Sequence, residues 1–243
     1  MMAENIVSEL APGGTLRAGI NMGNSLLVTG ATPAGDPAGI APDMARAIAD
    51  RLGVAVSYVQ FASPGEVADA LAGEACDIGL IADEPARAET IAFSAGYVEI
   101  EATYLVPAGS AFHLVADVDS PGARIAVSDR SAYDLYLTRT LEHAELQRAK
   151  GTAGALDLFV GEKLDALAGL RPVLNSDVEN LPGARVLDDR YTTVQQAVGT
   201  KPENIAAAAF LQEFVAQAKA SGLVARLIER HGVGGRLQVA AGD

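Results

Sequence analysis

One arginine, Arg87, stands in a stretch whose other charged residues are acidic, and its side chain is suited to binding an anion. The stretch DEPARAETIAFSAGY, residues 83–97, follows the apolar run CDIGLIA and places Arg87 two residues after a proline. A guanidinium group presents parallel N–H donors that match the two oxygens of a planar carboxylate. Surface arginines are mostly solvated, so the local sequence by itself favours an exposed helix residue over a ligand anchor.

A second anion-binding candidate is the segment SDRSAYD, residues 128–134, which follows the strand-like run ARIAV. Its serines and aspartates are typical of a helix start, where the first N–H groups lack internal partners and attract anions. The candidate ligand-binding residues here are Ser131, Ala132 and Tyr133. Simple N-capping explains the same pattern and is compatible with binding. Arg130 could add a second cation, and a solvated side chain is equally consistent with its position.

Three further polar residues could contact a ligand. Asn21 and Asn24, in the segment NMGNSLL, could hydrogen-bond a polar group, and a turn-stabilising role fits them equally well. Arg171, in LRP, could supply another cation, or its long apolar stem could lie along the surface at the end of a strand.

Patterns typical of enzymes and metal sites are absent from the sequence. The three histidines are far apart, and no zinc-binding, nucleophile-elbow or phosphate-loop pattern occurs. The single cysteine, Cys76, lies in an apolar run, where a buried and unreactive thiol is expected. The sequence therefore predicts no catalytic residue, metal or cofactor.

The composition is that of a folded, acidic protein. Of 243 residues, 49% are hydrophobic and 20% charged, and the net charge of −13 opposes binding to nucleic acid or to anionic membranes. No apolar run reaches the length of a membrane span. The N-terminal residues MMAENIVSELAPGG do not resemble a signal peptide. Either the protein stays in the cytoplasm, or a signal peptide was removed before this chain was defined.

The order of predicted elements indicates two α/β units in series. The first half reads strand, helix, strand, helix, strand, which predicts a parallel sheet covered by helices. Its segments are GTLRAGIN, APDMARAIADRLG, VAVSYVQF, SPGEVADALAGEAC and DIGLI, with Ser63 as an N-cap and a helix end at Gly53. After TYLVPAGSAF the pattern restarts with ARIAVS, SAYDLYLTRTLEH, ELQRAK, TAGALDLFVGEK and LDALAGL, followed by the strands ARVLDD and TTVQQAVGTK and two final helices. The halves share no alignable repeat, which excludes a solenoid.

The ordered set of motifs resembles the solute-binding proteins of ABC importers, in the family 3 group that binds polar amino acids. The resemblance covers nearly the whole chain. It rests on GTLRAGIN, GIAPDMARAIADRLGVAVSYVQF, VADALAGEACDIGL, PARAETIAFSAGY, VDSPGARIAVSDRSAYDLYL, LFVGEKLDALAGL and the closing segment from QAVGTKPEN to ERHG. No single motif is strong, but the order of the set is specific.

This resemblance implies a type II periplasmic-binding-protein-like fold: two α/β lobes, each a mostly parallel sheet flanked by helices, joined by two crossing strands that act as a hinge. The crossings are expected near residues 99–102 and 194–196. Lobe one would comprise residues 1–98 and 195–243, and lobe two residues 99–194. The ligand would lie in the cleft between the lobes, which would close around it.

For individual residues, the resemblance implies a carboxylate clamp at Arg87, which reverses the preference for an exposed arginine. It implies that the helix start at residues 131–133 binds the same carboxylate. Tyr97, at the end of FSAGY, is expected on the hinge side or on the cleft wall.

Two departures from the family pattern change the expected ligand. Family members carry an aspartate for the α-ammonium five residues after the position of Asp165, where this chain has Leu170. A buried ammonium without a carboxylate partner costs several kcal/mol, so we expect a keto, hydroxy or dicarboxylic acid that lacks the α-amine. In addition, Asp83 and Glu84 replace the family's threonines before the arginine. Because these acids would repel a ligand carboxylate, they would have to face away from it or accept a hydrogen bond from a donor group of the ligand.

Alternative functions remain. A few relatives of this fold are dehydratases of cyclohexadienyl acids, which place a carboxylic acid near the cleft; here Leu170 takes the obvious position for it, and Asp83 or Glu84 could substitute. A cytoplasmic sensor or orphan binder is the third reading. As partners we expect a small carboxylate and an ABC permease, and we expect a monomer.

Overall fold

The computed structural model describes residues 2–242 and divides into two compact units. One unit comprises Met1–Glu99 and Gln195–Asp243, and the other comprises Ile100–Val194. Two strands cross the division: β7 (Val98–Val106) and β12 (Thr192–Thr200). Each unit has its own set of parallel strands and its own helices, and each is described separately.

The first unit combines an α/β core with helices from both ends of the chain. Its helices are α1 (Met2–Leu10), α2 (Ile40–Leu52), α3 (Pro64–Ala72), α4 (Pro85–Ala88), α9 (Ile205–Ala220) and α10 (Leu223–Arg230). Besides parts of β7 and β12, its strands are β1 (Thr15–Asn21), β2 (Gly30–Ala31), β3 (Pro37–Ala38), β4 (Ala55–Phe61), β5 (Ile78–Ala82), β6 (Ala92–Phe93) and β13 (Gln238–Val239).

In this unit β1 is the central strand, flanked in parallel by β4 and β5, while β12 runs antiparallel on β5. The helix α3 packs closely on this sheet at Gly79. A Cβ added there would lie 2.8 Å from Leu71 Cδ1 and 2.9 Å from Val67 Cγ1. The glycine therefore allows the apolar face of α3 to reach the buried strands.

The second unit lies between the two crossing strands. Its helices are α5 (Val115–Val118), α6 (Ala132–Thr140), α7 (Gly151–Gly161), α8 (Arg171–Asp177) and a 3₁₀ turn (Val178–Asn180); its strands are β8 (Arg124–Ser128), β9 (Glu145–Ala149), β10 (Ala166–Leu170) and β11 (Arg185–Val186). The strand β8 is paired in parallel with β9 and β10, and β10 runs antiparallel to β7. In both units, parallel strands are therefore followed by one antiparallel strand that crosses the division, β12 on β5 and β7 on β10.

Several local predictions are confirmed. Ser63 is the N-cap of α3 and accepts a hydrogen bond from the Glu66 amide, with Pro64 in the first turn. The helix α2 ends at Gly53, whose φ of 71° is the left-handed conformation that favours glycine. The segments predicted as strands in the first half of the chain form β1, β4 and β5.

Other predictions are wrong in detail. The N-terminal segment contains the helix α1, for which no helix was predicted. Arg171 does not end a strand but begins α8, because Pro172 fits the first turn of a helix. The segment ARVLDD pairs only at Arg185–Val186. No helix within residues 2–242 is long and apolar enough to cross a bilayer.

Candidate functional site

In the first unit, polar side chains gather where the parallel strands end. The strand β1 ends at Asn21 and β5 ends at Ala82, directly before Asp83 and Glu84. In α/β sheets, ligands bind at the carboxyl ends of the strands, because helix starts and loop side chains converge there. The candidate residues of this unit follow these two strand ends.

Arg87 is buried in the one-turn helix α4. Only 5% of it is exposed, and Nη1 donates a 2.9 Å hydrogen bond to the carbonyl oxygen of Ala82, the last residue of β5. This is not the setting of a solvated surface arginine. The bond to the strand end places the guanidinium group at the carboxyl edge of the sheet.

The two acids before Arg87 have different environments. Glu84 is buried and caps α4, with Oε2 accepting the Ala86 amide at 3.0 Å. It therefore serves the local fold, and the structure does not support it as a free acid. Asp83 as a whole residue is exposed, but its carboxyl group is partly buried. This burial, together with the negative charge of Glu84, raises the pKa of Asp83.

Asn21 and Asn24 stabilise the loop that follows β1. Asn21 Oδ1 accepts the Gly23 amide at 3.0 Å, and Asn24 Oδ1 accepts the Leu26 amide at 3.1 Å. These are the turn-stabilising bonds that asparagine side chains make to backbone two residues on. Of the two roles considered for these residues, the structural one is observed.

Tyr97 does not fit a ligand contact. Its side chain is 0% exposed inside the first unit, and burial raises the pKa of its phenol. Among residues 2–242 no partner is found for its hydroxyl. An aromatic ring that fills the core beside the start of β7 is not available to a solute.

In the second unit, the start of α6 forms the predicted cap. Ser131 Oγ accepts the Asp134 amide at 3.1 Å, and Asp134 Oδ2 accepts the Arg130 amide at 2.8 Å. Asp134 is almost fully buried and also pairs with Arg148 Nε at 2.9 Å. The N–H groups of Ala132 and Tyr133 come before the first internal hydrogen bond of the helix, so this end is suited to an anion.

Asp134 was not among the candidate residues, although its hydrogen bonds with Arg130 and Ser131 fix the start of α6. Its signal was the spacing of SAYD, a serine followed three residues later by an acid, which is typical of a reciprocal helix cap. Its partner Arg148, on β9, is distant in sequence and left no such signal.

The side chain of Tyr133 lies inside this unit. It is buried, and burial raises its pKa to about 12, while hydrogen bonds with Ser131 and Ser128 lower it. Its hydroxyl is therefore already engaged, and its amide and ring are what it can offer to a ligand.

Arg130 adopts the left-handed backbone conformation, with φ of 55°. This conformation is uncommon for residues other than glycine, and the hydrogen bond from its amide to Asp134 stabilises it here. The side chain of Arg130 is exposed.

Arg171 is part of an internal network and is not a free cation. Nε donates to Glu101 Oε2 at 2.6 Å, and the two terminal nitrogens donate to the carbonyl oxygens of Leu187, Asp188 and Asp189. Glu101 also binds Arg190. These contacts do not support a second ligand cation at Arg171, because its donors hold residues 187–189 against β7.

Two further kinds of reactive group were considered, the cysteine thiol and sets of side chains that could bind a metal ion. Cys76 is buried, and burial raises the pKa of its thiol to about 11, which suppresses the reactive thiolate. Within the described residues, no group of three or more histidine, cysteine or acidic side chains is arranged to hold a metal ion.

A comparison with protein families identifies the family of this chain. A sequence profile of the bacterial extracellular solute-binding proteins, family 3, matches residues 20–234. A search of curated protein sequences returns no match.

Solved structures resemble the whole chain. A mutant arginine-binding protein from T. maritima has 20% identity and a TM-score of 0.74, covering 96% of this chain and all of its own. An amino acid ABC transporter substrate-binding protein from Streptococcus pneumoniae, solved with L-arginine, has 19% identity and a TM-score of 0.75, covering 91% of this chain and 96% of its own.

An ancestral amino-acid-binding protein, described as a precursor of cyclohexadienyl dehydratase, has 22% identity and a TM-score of 0.75, covering 92% of this chain and 97% of its own. At these identities the similarities show the fold, and they confirm the predicted α/β fold class.

Proposed function

Because the chain belongs to the bacterial extracellular solute-binding proteins, family 3, we propose that it captures a small carboxylate-containing solute as the receptor of an ABC-type importer. Binding proteins of amino-acid ABC transporters are among the similar structures. The corresponding location is outside the cytoplasmic membrane, and the corresponding partner is an ABC permease.

The buried Arg87 is the observation that carries this proposal. A guanidinium group presents parallel N–H donors that match the two oxygens of a planar carboxylate. Here the backbone carbonyl of Ala82 accepts from Nη1 at the carboxyl end of β5. An arginine oriented in this way suits a carboxylate ligand, since the bidentate pair is both strong and directional.

The start of α6 supplies the second anion-binding element of the proposal. Ser131 and Asp134 fix the first turn, so the Ala132 and Tyr133 amides are held in place before any ligand arrives. Such preorganisation lowers the entropic cost of binding.

We further propose that the ligand lacks an α-amine. The position expected to bind the ammonium is Leu170, an apolar residue at the end of β10. Several similar structures are arginine-binding proteins, so this chain would have kept their fold and changed the recognition of the amine. An ammonium placed against leucine would lose the hydrogen bonds that it makes in water.

A thermal-shift screen tests the proposal. Amino acids are compared with keto, hydroxy and dicarboxylic acids of the same carbon skeleton, each at a concentration far above its expected dissociation constant. A ligand at a hundred times its dissociation constant stabilises by about 2.7 kcal/mol, or roughly 5–10 °C for a chain of this size. Strong stabilisation by ordinary amino acids alone would contradict the amine-free ligand, and no shift with any acid would contradict carboxylate binding.

The same samples test for chemistry. One similar structure is a precursor of a dehydratase, so acids that stabilise the protein should be incubated with it and analysed for loss of water. We expect them to be recovered unchanged, because a receptor binds without turnover.

A further inference from the structure

Residues 237–241, which we call the C-terminal strap, lie along the start of β7, next to the point where that strand leaves the first unit. Within the strap, β13 pairs antiparallel with β7, so that Gln238 lies opposite Glu99. The Ala240 amide extends this pairing with a 3.1 Å hydrogen bond to the carbonyl oxygen of Tyr97. The strap is therefore bound through its backbone to a strand that connects the two units.

The carboxylate of Glu99 joins the strap to the other crossing strand. Its Oε2 accepts a 2.7 Å hydrogen bond from Nε2 of Gln195 on β12, and its Oε1 accepts a hydrogen bond from Nε2 of Gln238 on β13. Glu99 is the last residue of the first unit on β7, and Gln195 is the residue at which β12 enters that unit. One carboxylate thus connects three strands, two of them at the residues where they cross the division.

Gly96 and Lys219 add contacts at the same place. A Cβ added to Gly96 would lie 2.7 Å from Gln195 Oε1 and 3.4 Å from Ala240 Cβ, so a larger residue would have to move the side chain that binds Glu99. On α9, Lys219 Nζ donates hydrogen bonds of 3.2 Å to the carbonyl oxygens of Gly96 and Ala241. The strap is therefore held by a helix of the first unit as well as by its strands.

These contacts limit where the crossing strands can bend. When two units move relative to each other, a few residues of the connecting segments absorb the rotations of φ and ψ. A bend of β7 at residues 97–99 would break its pairing with the strap. A bend of β12 at Gln195 would break the hydrogen bond to Glu99. Bending is therefore easiest beyond Glu99 on β7 and before Gln195 on β12.

We propose that Glu99 is a positioning residue for the relative movement of the two units. The C-terminal strap acts through it and restricts the bend to the residues after Glu99 on β7 and before Gln195 on β12. This inference goes beyond the proposed function, because it concerns the movement of the units and not the class of solute.

The restriction has a consequence for a receptor whose units close on a solute. A protein with fewer accessible arrangements before binding loses less conformational entropy when it closes. Loosening the strap should therefore weaken binding, although no residue of the strap belongs to the proposed anion-binding groups. The loss should be roughly 10-fold in affinity, the scale of one hydrogen bond to a charged group.

Pulsed electron paramagnetic resonance on the full chain without ligand tests this inference. Spin labels at Asp50→Cys on α2 and Asp157→Cys on α7, both exposed positions, report the distance between the units. The native Cys76 is buried with an unreactive thiol, so it does not compete for the label. In the Glu99→Gln variant the distribution of distances between the labels should be roughly 1.5-fold wider than in the native chain. Glutamine keeps one acceptor oxygen and replaces the other with an NH₂ group, so one of the two bonds from Gln195 and Gln238 is lost.

Gln238→Ala is a second variant that leaves the crossing strands unchanged and removes the exposed side chain of the strap. It should widen the same distribution. Gln60→Ala and Glu229→Gln are the matched controls: both residues are exposed in the first unit, and within residues 2–242 no hydrogen bond to either side chain is found. Neither control should change the distribution.

The outcomes separate this inference from the function proposed above, because the distance measurement needs no ligand. If both strap variants lower the thermal midpoint and leave the distribution of distances unchanged, the strap serves folding alone and the inference is overturned. Widening of the distribution in the controls as well would also overturn it. Once a solute is found, calorimetry on Glu99→Gln should show the 10-fold loss, and native affinity together with a wider distribution would contradict the effect on binding.

Discussion

Leu170 is the residue from which we infer that the ligand lacks an α-amine. Its side chain ends β10 and lines a small cavity together with Gly169 and Asp177. Leu170→Asp should create amino-acid binding, because the new carboxylate would pair with an α-ammonium beside the start of α6. Calorimetry with a panel of amino acids would detect the gain, expected to be at least 10-fold over the native protein.

A matched control for this substitution is Leu170→Asn, which is nearly the same size and carries no charge. It should gain much less amino-acid affinity, because it lacks the charge that favours the ammonium. Equal gains in both variants, or none in either, would show that the missing carboxylate is not what excludes the amine.

At the scale of single residues, the sequence predicted the environment of some side chains and not of others. The proposal for Arg87 followed from its place in the order of motifs. Its bond to Ala82 could not be predicted, because that contact depends on where β5 ends. Arg171 was a candidate because it is a cation next to Leu170, and Tyr97 because of the resemblance at FSAGY. A guanidinium group satisfied by Glu101 and backbone carbonyls looks the same in a sequence as a free one.

Among the elements, the starts of α3 and α6 allow a direct separation of folding from binding. Both helices are capped by a serine whose oxygen accepts the amide three residues on. Ser63→Ala and Ser131→Ala should each lower the free energy of unfolding by about 1 kcal/mol. Only Ser131→Ala should also weaken acid binding, because it disturbs the proposed anion site.

Urea unfolding and calorimetry on the two variants would measure both effects. Equal affinities of the two variants for the acid would remove the start of α6 from the binding site.

The network around Arg171 predicts a pH-dependent contribution to stability. Hydrogen bonds from Arg190, and then from Arg171, hold the pKa of Glu101 below its ordinary 4.5. A lowered pKa in the folded state means that this stabilisation is present above pH 4.5 and is lost as the pH falls through the folded-state value.

Arg171→Met should therefore destabilise the protein at pH 7 by about 2 kcal/mol, since it removes a charged pair and the donors to three carbonyl groups. Part of the difference from the native protein should disappear as the pH falls below 4.5, as urea unfolding at pH 7 and pH 4 would show. Weaker acid binding with unchanged stability would instead restore Arg171 as a ligand cation.

The elements themselves were largely predictable, because periodicity and caps are local. Ser63 and Gly53 mark the ends of helices with residue types that suit those positions. The helix α8 was missed because Arg171 and Pro172 directly follow a strand with no intervening loop. The extent of β11 depends on its pairing with β7, which no local pattern encodes.

At the scale of the whole molecule, the net charge of −13 opposes the binding of a negatively charged carboxylate ligand. An acidic surface repels an acid in solution, so binding depends on local groups that overcome this field. The groups proposed to do so are the buried guanidinium of Arg87 and the first turn of α6. Such binding should weaken only modestly with salt, because buried pairs are screened less than exposed ones.

The most direct test of this account is calorimetric titration of Arg87→Lys and the native protein with the acid that gives the largest thermal shift. Lysine keeps the charge but cannot form the bidentate pair, and circular dichroism would verify that the variant is folded. We expect tight binding to the native protein and an affinity at least 100-fold lower in the variant. Equal affinity in the two proteins would contradict Arg87 as the carboxylate anchor.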